Sequence, residues 1–208
     1  MMIDSCASGG RRNDLETLRR AFPLLRSDFH APGVYDQPAL WYGNQGHTYG
    51  MSMWVPFAGK GEYYNSNYAF RSQMCPHMGV GYDPGRTPID WPALKKTIAN
   101  WRTVAMEFYG DYYPLTEYTL SEDLWMAWQF NRPETGTGMI QAFRHTNSPY
   151  ETARFKLQGL DPAATYSVTN LDVPGPADMT GRELSEQGLA ITIKDRPSAA
   201  LFAYKKKS

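Results

Sequence analysis

The rhythm of apolar and polar positions changes once along this chain, near residue 119. Ahead of that point, apolar runs and helical repeats alternate. The run Met1 to Cys6 stops at Gly9-Gly10 and predicts a buried strand entering a tight turn. Asn13 with Glu16 forms a capping-box-like pair, and Leu15, Leu18 and Ala21 or Phe22 share one helical face. Pro23 should close that helix. Leu24 and Leu25 then predict a second strand, running out into Ser27-Asp28. Strand, helix and strand in so short a span make a βαβ unit with parallel strands. Ala31 to Gly50 is rich in Gly, Pro, Tyr and Asn and predicts a long surface loop. Strands are expected over Met51 to Phe57 and Tyr68 to Met74. Beyond the turn at Asp83-Pro84-Gly85, Asp90 can cap a helix. Trp91, Leu94, Ile98, Trp101, Ala105 and Phe108 recur in it at three- and four-residue steps. That helix is expected to reach about Tyr113, where Pro114 ends it.

From Leu120 onward the pattern is short strand-like runs between Pro, Gly and Asp turns. They are Trp125 to Phe130, Gly138 to Arg144, Glu151 to Leu157, Thr165 to Asn170, Leu189 to Ile193 and Ala200 to Tyr204. This spacing predicts a β-sandwich. The expected division is therefore 1–119 and 120–208, with no internal repeat and no low-complexity segment.

Composition narrows the partners. Lys plus Arg and Asp plus Glu each number 21 in the 208 residues, so no global field favours nucleic acid or an anionic membrane. Lys205, Lys206 and Lys207 read as a solvated tail. There are 14 Tyr and 6 Trp, crowded between Trp41 and Trp128. Flat rings suit the C–H faces of sugars, but they also fill cores. Trp41, Tyr42 and His47 could line a sugar site or simply pack. Cys6 and Cys75 make no disulfide framework, and no His/Cys spacing suggests zinc; no cofactor is expected. No apolar stretch approaches the roughly 20 residues that span a bilayer. The N-terminus enters patterned sequence at once, without a signal peptide. That suggests a cytoplasmic protein whose frame opens inside a larger ancestral domain.

Two segments follow parallel strands, at the ends where a (β/α)8 barrel carries its chemistry. One runs Asp4-Ser5-Cys6-Ala7-Ser8-Gly9-Gly10-Arg11-Arg12-Asn13-Asp14; the other is Arg26-Ser27-Asp28. Glycines let backbone N–H groups approach a ligand, an Arg offers a planar fork of donors, and a carboxyl group can donate a proton. Asp28 could equally serve as a cap or an ion-pair partner, and Cys6 as a small buried hydrophobe.

The run Cys-x-x-Gly-Gly-x-Arg-x-Asp, followed by Ser-Asp after the next strand, resembles family 36 glycoside hydrolases, the retaining α-galactosidases and α-N-acetylgalactosaminidases. Leu157-Gln158-Gly159-Leu160-Asp161-Pro162 through Tyr166, then Thr180-Gly181 and Leu184, resembles that family's C-terminal sandwich. The resemblance implies α/β plus all-β architecture: a partial (β/α)8 barrel of about four β/α units, then an antiparallel β-sandwich. It implies Asp28 as general acid/base, with Cys6, Gly9 and Gly10 against the galactose 2-substituent and Arg12 and Asp14 in support.

The chain departs from the family in one respect that decides its chemistry. Retention needs a second carboxylate about 5 Å from the first, and the resemblance places it on a strand upstream of Cys6. Asp4, Asp36 and Asp83 are the local substitutes. Phe29 also stands where the family often has a polar residue. Four parallel strands cannot close a barrel, so a homodimer pairing two half-barrels is expected. The implied function is hydrolysis of terminal α-galactosides by a truncated enzyme. The alternative is a non-catalytic carbohydrate-binding module or dimeric structural remnant. In either case the expected ligand is a galactoside, with no nucleic acid and no membrane.

Overall fold

A computed structural model describes residues 4–6, 14–25, 38–51, 58–62, 66–81 and 89–207. The chain divides into two compact units between Trp101 and Arg102, ahead of the division read from the sequence at residue 119.

In the first unit, strands and helices alternate: β1 (Asp4–Cys6), α1 (Leu15–Leu18), β2 (Phe22–Leu25), α2 (Pro38–Met51), β3 (Ala58–Glu62), α3 (Asn67–Gln73), β4 (His77–Gly81) and α4 (Trp91–Val104), whose last three residues fall in the second unit. β1 pairs with β2 in parallel and β3 pairs with β4 in parallel. β2 and β3 are neighbours in space.

Four sequence expectations change here. Pro23 lies inside β2 rather than closing a helix, and it is fitted to a short strand by its fixed φ. Residues 38–51, expected as loop, form α2. Tyr68 to Met74, expected as a strand, is mostly α3, started by Ser66, whose side chain accepts the Ala69 amide at 3.2 Å. Met51 closes α2, and the rest of the expected third strand, 52–57, lies outside the described residues.

Asp90 caps α4 as expected, accepting the Ala93 amide at 3.0 Å through Oδ1. The helix does not reach Tyr113. A 3₁₀ turn, Ala105–Tyr109, follows it, and Asp111–Pro114 is a strand, β5. Pro114 is tolerated because β5 is the edge of its sheet.

The second unit is an antiparallel β-sandwich. Its larger sheet runs β10-β9-β12-β7-β6-β5, and a two-stranded sheet pairs β11 with β8. The remaining strands are β6 (Trp125–Arg132), β7 (Thr137–Arg144), β8 (Thr152–Phe155), β9 (Thr165–Asn170), β10 (Pro176–Thr180), β11 (Leu189–Thr192) and β12 (Ser198–Lys206). Alternation sets the core. Tyr166 and Val168 on β9, Ile140 and Ala142 on β7, and Ala200, Phe202 and Tyr204 on β12 meet Phe155, Leu189 and Ile191 from the smaller sheet. Each Val, Leu, Ile or Phe side chain among them contributes about 1.5–3 kcal/mol when fully buried. β6 is buried on both faces from Trp125 to Asn131, which is why its sequence is apolar nearly throughout rather than alternating. Lys205 and Lys206 belong to β12 and are not a tail. Lys206 pairs with Asp161 at 2.9 Å, and Lys207 pairs with Asp178.

Candidate functional site

The pairing of β1 with β2 fixes the start of the expected site. Asp4 lies opposite Phe22 and Cys6 opposite Leu25, with an irregularity between. Both strands run the same way, so the segments that follow Cys6 and Leu25 leave from neighbouring positions. Gly9, Gly10, Arg12 and Asp28 are in those segments, outside the described residues, as are Asp36 and Asp83. Asp14 is exposed, immediately ahead of α1. Glu16, expected in a capping box with Asn13, pairs with Arg19 at 3.1 Å and with Arg20; Asn13 is itself outside the described residues.

Trp41, Tyr42 and His47 are on α2, not on a loop. The Trp41 ring meets Tyr68 of α3 edge-on, with centroids 5.3 Å apart and planes at 87°. Beside this contact Gln45 Nε2 donates to Tyr68 Oη and Ser72 Oγ, each at 3.0 Å. Burial pushes the Tyr68 phenol up, keeping it neutral. Trp41 is half-buried and packs α2 on α3. Among the described residues no three His, Cys, Asp or Glu side chains are grouped to hold a metal ion. None of the described helices is long and apolar enough to cross a membrane.

In the sandwich, the residues carrying the second resemblance meet in one knot. The Asp161 amide donates to Tyr166 Oη at 3.0 Å, and Asp161 Oδ1 accepts the Ala163 amide at 3.0 Å, which folds the Asp-Pro turn. Gly181 lies against that turn; a Cβ there would stand 2.0 Å from the Asp161 carbonyl oxygen. Thr180 and Glu183 form a reciprocal cap. Thr180 Oγ1 accepts the Glu183 amide at 3.1 Å, and Glu183 Oε2 accepts the Thr180 amide at 2.8 Å. Leu184 is fully buried, and its carbonyl accepts the Leu157 amide.

A buried polar chain ties the same loop to the sheet. Gln129 Nε2 donates to the Gln158 carbonyl and to Tyr204 Oη, both at 2.8 Å, and Gln129 Oε1 accepts the Gln158 amide at 2.8 Å. Tyr204 Oη donates to Asn131 Oδ1 at 2.8 Å, and Asn131 Nδ2 donates to the Gly159 carbonyl at 3.1 Å. Gly159 takes φ +69°, a value that favours glycine. This knot explains the recurring sequence as a structural requirement of the sandwich, with no chemistry assigned to it.

Residues 125–204 match the glycosyl hydrolase family 36 C-terminal domain. No curated protein matches the chain in sequence. Solved α-galactosidase structures share its fold. An α-galactosidase from Lactobacillus brevis superposes with a TM-score of 0.73 over 100% of this chain and 29% of its own, at 18% identity. A family 36 α-galactosidase from Geobacillus stearothermophilus in complex with raffinose gives 0.65 over 80% of this chain and 24% of its own, at 16% identity. Another structure from that organism, in complex with 1-deoxygalactonojirimycin, gives 0.66 over the same shares at 17% identity. The chain thus spans about a quarter of the length of the enzymes whose fold it shares.

Proposed function

We propose that this chain is the acid/base half of a glycoside hydrolase acting on terminal α-galactosides. β1 to β4 with their helices would be the last four β/α units of a (β/α)8 barrel, ahead of the family 36 sandwich. The supporting observation is the parallel pairing of β1 and β2 with Cys6 opposite Leu25. It starts the Gly9-Gly10 segment and the Ser27-Asp28 segment side by side, at the strand ends where such barrels hold substrate. In this reading Asp28 protonates the departing glycosidic oxygen and later takes a proton from water. Cys6, Gly9 and Gly10 hold the sugar near its 2-substituent, and Arg12 and Asp14 brace that loop. The nucleophilic carboxylate is supplied locally, by Asp4, Asp36 or Asp83, or across a homodimer that joins two half-barrels.

The test is turnover of a nitrophenyl α-galactoside by the chain and by Asp28→Ala. Loss of an acid/base group should lower kcat/KM by roughly 10²–10⁴-fold. Turnover that survives the substitution overturns the role of Asp28. Galactose binding without turnover in the parent would instead favour a binding module.

A further inference from the structure

The sandwich carries a second cleft whose chemistry is independent of Asp28. On the sheet face opposite the Tyr166, Val168 and Tyr204 core, cross-strand pairing aligns Ser167 of β9, Lys205 of β12 and Thr137 of β7 in one row. Directly opposed residues of antiparallel strands project to the same face. The next row places Thr169 opposite Ala203. Glu107, from the 3₁₀ turn after α4, reaches this face, and its Oε2 accepts from Thr137 Oγ1 at 2.9 Å. These side chains line a cleft of about 590 Å³, within the range of about 300–1,000 Å³ that holds small ligands.

The wall is mixed in sign and sparsely bonded. Burial pushes the Glu107 carboxyl above the usual range, opposed by the Thr137 hydrogen bond. Ser167, Thr169 and Lys205 make no side-chain hydrogen bond or ion pair with the described residues, whereas the adjacent Lys206 and Lys207 are both ion-paired. Unpartnered donors at Ser167, Thr169 and Lys205 beside the Glu107 acceptor favour a ligand that supplies both. An anion would meet the Glu107 carboxylate, and a cation would meet Lys205. A neutral polyol answers both, since one hydroxyl can donate to Glu107 while another accepts from Lys205.

We propose that this cleft is a second saccharide-binding site, taking a neutral polyhydroxylated ligand through Glu107, Ser167, Thr169 and Lys205. It shares no residue with the Asp28 site, so either assignment can fail alone. The experiment is an NMR titration of the isotope-labelled full chain with raffinose, and separately with inorganic phosphate. Raffinose should shift the amides of Thr137, Ser167, Thr169, Ala203 and Lys205 saturably. Lys205→Met and Glu107→Gln should each weaken that binding about fivefold or more, since the first removes a charged donor and the second turns a charged acceptor into a neutral one. Asp28→Asn should leave it unchanged. Absence of these shifts, their persistence in both variants, or their appearance with phosphate in place of raffinose overturns the proposal. If either variant fails to fold, Ser167→Ala with Thr169→Val removes only hydroxyls from the strand face. Undiminished raffinose binding by that pair would equally overturn it.

Discussion

Gly181 and Tyr204 show how single positions set the sandwich. A methyl group at 181 would stand 2.0 Å from the Asp161 carbonyl oxygen, and that oxygen belongs to a turn already held by Tyr166 and Lys206. Backbone on both sides leaves little room to yield. Gly181→Ala should cost about 1–3 kcal/mol or more in urea denaturation. Tyr204→Phe removes the hydroxyl shared by Gln129 and Asn131 and leaves both amides short of a buried partner. Its expected cost is about 1–3 kcal/mol by the same measurement. A parent-like midpoint for either variant would contradict the knot described above. Thr180-Gly181 and Leu184 were legible in the sequence as family-like residues. Their reason was not, because Gly181 answers to a carbonyl twenty positions earlier, a contact that no local pattern records.

Legibility differed by element for physical reasons. The six sandwich runs follow a period of two or, in β6 and β7, which are buried on both faces, a largely apolar stretch, and all six are strands. β5 and β10 went unread because each is an edge strand carrying a proline, Pro114 and Pro176. α2 holds Gly43, Gly46 and Gly50, whose helix propensity is poor. Tertiary contacts outweigh that propensity: Trp41 on Tyr68, and Gln45 bonded to Tyr68 and Ser72. Between β7 and β8, His145 is buried and its Nδ1–H donates to the Ser121 carbonyl at 2.6 Å, fastening the segment ahead of β6. Burial holds its pKa below the ordinary value, against the pull of that carbonyl and of Asp123. As pH falls below about 6.5 the unfolded chain takes up this proton before the folded one. Stability should therefore decline from there toward the folded-state pKa and be insensitive to this group well above about 6.5. Urea midpoints at a series of pH values should show the decline in the parent and a flatter profile in His145→Gln. Equal slopes would remove His145 as the cause.

At the scale of the molecule, a sandwich whose residues 125–204 match the family 36 C-terminal domain follows a unit in which strand and helix alternate four times, with parallel pairing wherever pairing is described. The candidate site is expected from its glycines and from the aspartate after the second strand, and those residues lie outside the described ones. The cleft on the sandwich was not, because Glu107, Thr137, Ser167 and Lys205 are far apart in sequence and meet only through strand register. Its trace in the sequence is the polar set Ser167, Thr169 and Lys205, alternating with the core residues Tyr166, Val168 and Tyr204. The most direct test of the account is a crystal structure of the chain with 1-deoxygalactonojirimycin bound. The account predicts the inhibitor's ring against the Cys6–Asp14 segment, with the Asp28 carboxyl about 2.6–3.2 Å from its polar atoms. An Asp28 side chain directed away from that segment, with the inhibitor bound elsewhere, would contradict it.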